Sequence, residues 1–227
     1  MKNTARLIAS TKGIEELFNK GNGEEVVSYV ARVSNPNNQT NFETAPKLLS
    51  YLIKNKHWSP FEHSYLTIEI ETSRGIAAQI LRHRSFVFQE FSQRYSKTEE
   101  YVQYEARRQD LKNRQNSIDD MSEEDKTWFK NIQIELWDAA ERAYNDALKK
   151  GIAKEQARFL LPLNTKTKLY MTGSIRSWIT YFMVRMDKTT QLEHRQIAKD
   201  CFNIFKSEYP VITEALYLTH PEIFNEE

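Results

Sequence analysis

The apolar residues of this chain follow two different periods, and the two are mixed without regular alternation. Ser64 to Glu71 has a period of two: Tyr65, Thr67, Glu69 and Glu71 fall on one side, and Leu66, Ile68 and Ile70 on the other. That pattern is the mark of a half-buried strand. Around it, Glu24 to Val33 and Ala45 to Lys54 space their apolar residues as helices do, with Leu48, Leu49, Leu52 and Ile53 on one stripe, and Ile76 to His83 reads as helix too. Ser122 to Lys150 is the longest predicted helix. Ser122 suits its N-cap, Glu123, Glu124 and Asp125 suit its positive end, and Gly151 suits its termination. A short helix over Lys154 to Leu161 stops at Pro162; Ala5 to Ser10 and Lys166 to Thr172 are predicted strands, and Ser174 to Met186 and Leu192 to Tyr209 predicted helices. Strands this few and this irregularly placed do not make a repeating βαβ fold. The expectation is an α+β protein with helices packed on a sheet.

No stretch rich in Pro, Gly or Ser divides the 227 residues, so one domain over 1–227 is expected. The least apolar region, Glu105 to Glu124, reads as a polar excursion within that domain. Lys and Arg number 32 against 31 Asp and Glu, a net charge of +1, which excludes binding by blanket attraction to nucleic acid or anionic membrane. Anion binding must come from local placement of arginines. The single cysteine, Cys201, forms no internal disulfide and provides no CxxC zinc site; its apolar neighbours Ile197, Ile204 and Phe205 mark it as a core thiol. Met1 to Ser10 lacks the apolar stretch of a secretory signal, and no apolar run reaches the roughly 20 residues of a membrane span. A cytoplasmic setting with no membrane partner is the expectation.

Familiar catalytic motifs are missing. There is no GxxxxGK[ST] loop, GxSxG elbow or HExxH pair, the five histidines lack compact metal-ligand spacing, and no metal is expected. Gly21-Asn22-Gly23 is half of a dinucleotide fingerprint at best and reads as a polar turn before a helix. What stands out is the run Arg82-His83-Arg84-Ser85-Phe86-Val87-Phe88-Gln89-Glu90-Phe91-Ser92-Gln93-Arg94-Tyr95. Guanidinium forks match phosphate oxygens bidentately, and aromatic rings stack on planar heterocycles. Their crowding points to a nucleotide ligand. A charged helix end followed by an amphipathic strand is the plainer alternative.

Arg82-His83-Arg84, seven residues and then Ser92 resembles the RHRx7S signature of the flavin-dependent thymidylate synthases (the ThyX family). The same order holds along the chain. His57-Trp58-Ser59-Pro60-Phe61-Glu62-His63 looks like that family's upstream segment, Ala157-Arg158-Phe159-Leu160-Leu161-Pro162 its ARxxLP helix end, and Arg176 with Arg185 its late arginine pair. The resemblance implies a mainly antiparallel sheet in a homotetramer with active sites at subunit junctions. It implies methylation of dUMP to dTMP, with 5,10-methylenetetrahydrofolate as one-carbon donor and NADPH-reduced FAD as hydride source, and no cysteine nucleophile.

Carried residue by residue, the resemblance gives FAD to Ser59, Arg82, His83, Arg84, Glu90, Ser174, Arg176 and Thr180. It gives dUMP to Gln79, Ile80, Leu81, Arg82, Glu90, Phe91, Ser92, Gln93, Arg94, Arg158 and Arg185, with Arg185 the catalytic residue that polarises the pyrimidine. Arg176 and Arg185 are nine residues apart, which puts them on opposite faces of a helix, and Thr180 shares the face of Arg176. Two faces suit two ligands, Arg176 and Thr180 towards FAD and Arg185 towards the uracil; a surface Arg185 pairing with Asp187 is the lesser alternative. Val87, Gln89, Ser174 and Thr180 depart from the family's usual residues, which bears on FAD binding. The alternative function is a nucleic-acid-binding module using Arg82, Arg84 and Arg94 on phosphates and Phe86, Phe88 and Phe91 on bases. The near-zero net charge weighs against it.

Overall fold

In the computed structural model, residues 4–224 are described, so the ends of the predicted 1–227 domain, residues 1–3 and 225–227, lie outside them. The chain begins with strand β1 (Thr4–Ser10), helices α1 (Gly23–Ala31) and α2 (Ala45–Lys54), a 3-10 turn at Ser59–His63, and strand β2 (Tyr65–Ser73). Helix α3 (Arg74–Ile80), strand β3 (Val87–Glu90) and a hairpin of β4 (Arg108–Gln109) and β5 (Ser117–Ile118) follow. Then come α4 (Glu123–Lys149), α5 (Lys154–Ala157) with a 3-10 turn at Arg158–Leu160, strand β6 (Lys166–Ser174), and helices α6 (Ile175–Arg185), α7 (Leu192–Glu208), α8 (Pro210–Thr219) and α9 (Pro221–Phe224).

Four strands form one sheet in the order β1-β2-β6-β3, and each neighbouring pair is antiparallel. The alternation in β2 sorts the two faces. Leu66, Ile68 and Ile70 are buried, as are Leu169 and Met171 of β6, in one core with Trp178, Ile179 and Phe182 of α6 and Cys201 and Phe205 of α7. Each such large side chain contributes roughly 1.5–3 kcal/mol by leaving water, so this seam seats α6 and α7 on the sheet. The Trp178 indole also donates to the Leu66 carbonyl at 2.9 Å, tying α6 to β2. The other face carries polar pairs: Arg6–Glu69 at 3.0 Å, Lys168–Glu71 at 3.0 Å and Thr67–Thr172 at 2.9 Å.

Helix α4 stands apart from that core. Its Tyr144 and Ala147 make a small second cluster with Ala157, and Trp137 stacks on Tyr101 at 5.0 Å. Ser122 caps it through the Asp125 N–H at 3.0 Å, and Gly151 adopts φ +82° beyond its end, where a side chain is strained.

Several element ends differ from expectation, and each has a local cause. Helix α3 ends at Ile80 rather than His83; Phe86, 7% exposed, enters the core just beyond, so Arg82-His83-Arg84 lie in a turn. Gly173 on β6 permits that entry, since a Cβ there would lie 2.5 Å from the Phe86 ring. The expected helix over Lys154 to Leu161 is α-helical only to Ala157 and tightens to 3-10 geometry at Arg158. The polar excursion contains the β4–β5 hairpin. Helix α8 was not expected, although Pro210 at its first turn and Ile212, Ala215 and Leu216 at helical spacing are a helix signal.

Candidate active site

Helix α3, the turn after it and helix α6 bring His83 and Arg185 together. Arg185 Nε donates to His83 Nε2 at 2.8 Å, linking residues 102 positions apart. Guanidinium nitrogens only donate, so Nε2 must be unprotonated and the imidazole proton sits on Nδ1. Burial and the Arg185 charge push the His83 pKa down from 6.5 to about 4, which keeps the ring neutral at pH 7. Asp187 does not pair with Arg185; its carboxylate takes the Thr189 backbone N–H at 2.8 Å. Arg185 has no carboxylate partner among the described residues, and its terminal amines are uncommitted there.

Behind His83 lies an aromatic wall. The Tyr181 ring meets it edge-on at 4.9 Å, and His194 lies at 6.2 Å. His194, fully buried, is bracketed by the Tyr181 hydroxyl at 3.1 Å and Gln79 Oε1 at 3.3 Å. Burial, then the charges of Arg185 and His83, lower its pKa to about 3, so it too is neutral. Neither Tyr181 nor His194 stands out in the sequence; a buried polar pair inside apolar helical patterns leaves no local signal.

A second group forms around Glu155. Arg94 Nε lies 3.4 Å from its carboxylate, and Arg158 Nε donates to its carbonyl at 3.2 Å. Ser92 Oγ accepts the Arg94 backbone N–H at 3.3 Å, and Gln93 between them is buried with an Nε2 that has no partner. A third contact joins the Ser59 turn to α6: Arg176 pairs with Glu62 at 2.9 Å. Arg176 and Arg185 thus do face different neighbours.

Other expected site residues are distributed as follows. Arg82 and Arg84 are exposed in the turn and have no ion pair among the described residues. Ser59 and Leu81 are exposed, and Phe91 is half-buried. Glu90 Oε1 holds Arg74 at 2.8 Å and Thr167 at 2.9 Å, which leaves its Oε2 without a partner among the described residues. Three of the expected side chains are engaged within the chain itself. Ile80 is fully buried in the core, so its side chain cannot meet a nucleotide. Ser174 is 3% exposed and caps α6 by accepting the Ser177 N–H at 3.3 Å, a structural role that occupies the hydroxyl expected to meet FAD. Thr180 gives its hydroxyl proton to the Arg176 carbonyl at 3.1 Å, one turn back, as threonines in helices do.

One cavity of about 420 Å³ lies beside Arg32 and Asn38, and one of about 1060 Å³ lies between Tyr104, Arg107, Lys130 and Glu193. Neither is lined by Arg82, Arg94, Arg158 or Arg185. The nucleic-acid alternative loses two of its three stacking rings: Phe86 is buried in the core, and Phe88 packs against it. Cys201 is fully buried, and burial pushes its thiol pKa far up, which leaves it protonated and unreactive. Among the described residues no cluster of His, Cys, Asp or Glu could hold a metal, and no helix is long and apolar enough to cross a membrane.

Fold and site together define an α+β protein with guanidinium-rich surfaces and a half-buried pair of a neutral histidine and a charged arginine. The family described as thymidylate synthase complementing protein matches residues 16–211. A probable flavin-dependent thymidylate synthase of Paramecium bursaria Chlorella virus 1 is 53% identical over 214 residues, which is 94% of this chain and 98% of that protein. The flavin-dependent thymidylate synthase of Synechocystis sp. is 55% identical over 193 residues, 85% of this chain and 89% of its own. A solved structure, the UMP/dUMP methylase PolB from Streptomyces cacaoi bound with 5-Br dUMP, is similar at a TM-score of 0.80 and 23% identity, covering 96% of this chain and 95% of that one. That last likeness is one of fold. The chain belongs to the flavin-dependent thymidylate synthase family.

Proposed function

We propose that this protein, an enzyme and a methyltransferase, converts dUMP to dTMP with 5,10-methylenetetrahydrofolate as the one-carbon donor and FAD reduced by NADPH. The observation that carries the reading is the Arg185–His83 pair. With Nε–H spent on a neutral imidazole, the Arg185 guanidinium is held in one plane, and its terminal amines are left for a ligand.

The donors fit anionic, oxygen-rich ligands. Arg82 and Arg84 are exposed cations with no carboxylate partner among the described residues, and the Gln93 Nε2 is a buried donor awaiting an acceptor. Arg82, His83, Arg84 and Arg176 would hold FAD, with Ser59 alongside; the flavin, when bound, supplies the reducing equivalents. Gln79, Leu81, Arg82, Phe91, Ser92, Gln93, Arg94 and Arg158 hold dUMP, with Ser92 to Arg94 at its phosphate and Glu90 Oε2 free to accept from the sugar. Arg185 stabilises negative charge on the uracil as N3 ionises, which makes C5 a better nucleophile without covalent attack by the protein. Ile80, Ser174 and Thr180 act through backbone and packing. The arginine groups of one chain converge with those of others in a homotetramer.

The test is an anaerobic assay with dUMP, methylenetetrahydrofolate, FAD and NADPH. dTMP should form with all four and stop on omission of any one. Flavin-loaded protein that makes no dTMP from the full set would overturn the reading.

A further inference from the structure

A chain of hydrogen bonds leads from the polar excursion to Gln79, and its direction is set at one end. Arg107, just before β4, pairs with Glu193 of α7 at 2.5 Å, and their side chains are only 13% and 6% exposed. The second Glu193 oxygen accepts from Gln191 Nε2 at 2.9 Å. A carboxylate paired with a guanidinium accepts only, so the Gln191 amide must turn its nitrogen to Glu193 and its oxygen away. That oxygen accepts from Gln79 Nε2 at 2.7 Å. Gln79 Oε1 therefore faces His194 Nδ1, and the Tyr181 hydroxyl donates to His194 Nε2 on the far side.

With the carbonyl taken by His194 and one N–H by Gln191, the only group Gln79 has left to offer a ligand as a donor is its second N–H. We propose that Glu193, anchored by Arg107, is a positioning residue that fixes the Gln79 amide so that it presents an N–H, and not a carbonyl, to an acceptor oxygen of the pyrimidine nucleotide. This rests on the reading that Gln79 contacts dUMP. The polar excursion gains a role as well, because Arg107, tied to Ser117 of β5 at 2.9 Å, carries the hairpin's position to the site. Without Glu193 the two amides are free to flip together, and half of the resulting states turn a carbonyl toward the ligand's oxygen.

The experiment compares Glu193→Gln, Gln79→Ala and the double variant by dUMP KM, kcat and thermal unfolding. Glu193→Gln should raise KM for dUMP about five- to tenfold with kcat at saturation within about twofold, the mark of lost uniform binding. In the Gln79→Ala background it should add nothing. An unchanged KM in Glu193→Gln, or the same factor in both backgrounds, would overturn the proposal, since a purely structural role gives additive effects. Should Glu193→Gln fail to fold, Gln191→Ala, on an exposed residue, breaks the same relay and must show the same KM rise. Unaltered dUMP affinity in Gln79→Ala alone would instead sink the assignment of Gln79 to the nucleotide, and this proposal with it.

Discussion

Arg185 sits half-buried at the last position of α6, and its geometry depends on His83 staying neutral. On the proposed function, replacing it by Ala removes the charge that faces the uracil, without opening the core. Arg185→Ala should cut dTMP formation by about 10²–10³-fold, the usual cost of losing one donor at a developing charge, with the melting transition little changed. Arg185→Lys should not restore the rate, because an ammonium cannot bond His83 and present a planar fork together. The Ala variant gives a second readout: without the guanidinium the His83 pKa should rise from about 4, visible in its ring-proton titration by NMR. Wild-type turnover in Arg185→Ala would remove it from the mechanism. Arg82, His83, Arg84 and Arg185 were legible as candidates in the sequence because family-like segments contain them. Tyr181 and His194 were not, because nothing local distinguishes a buried hydroxyl or imidazole that has found a partner from another position on an apolar stripe.

Helix ends carry the next layer. Glu24, in the first turn of α1, is 4% exposed and accepts the Ile212 backbone N–H of α8 at 2.7 Å. Burial raises its pKa from 4.5 to about 7, outweighing the lowering from the Ile212 and Val211 N–H groups and from Lys20. A raised pKa means that ionising Glu24 costs the folded state. Its contribution is intact below about pH 4.5 and is lost as pH rises through 7, by roughly 1.4 kcal/mol per unit and about 3 kcal/mol in all. The stability of wild type relative to Glu24→Gln, measured by urea unfolding, should therefore fall between pH 5 and 8; a flat difference would show that Glu24 does not titrate there. No sequence pattern announces this α1–α8 clasp, since α8 itself was not expected. Its Pro210 looks like a stop, but Pro fits the first turn of a helix as well as the end of one, and only the packing of Ile212, Ala215 and Leu216 into the core decides between them.

At the scale of the molecule, the candidate ligand groups lie in separate places: His83, Arg185 and Gln79 against α6 and α7, Arg94 and Arg158 around Glu155, and Arg176 against the Ser59 turn. On the proposed function, these groups meet a nucleotide and a flavin in a site shared between the chains of a homotetramer. Dilution that dissociates the oligomer, followed by sedimentation, should therefore abolish dUMP binding in parallel. A monomer that binds dUMP as tightly as the assembly would show that one chain completes the site.

Composition and periodicity settle the class of this protein. The β2 alternation assigns Leu66, Ile68 and Ile70 to the core whatever surrounds them, because a period of two leaves no other face to bury. Local chemistry also settles some helix starts, as at Ser122 and Ser174, where a hydroxyl meets orphan backbone donors. What no local pattern contains is direction: which end of the Gln79 amide faces His194, which histidine tautomer Arg185 selects, and that Arg107 reaches Glu193 from 86 residues away. Those are properties of hydrogen bonds closed between distant segments, and they exist only once the core has brought the segments together.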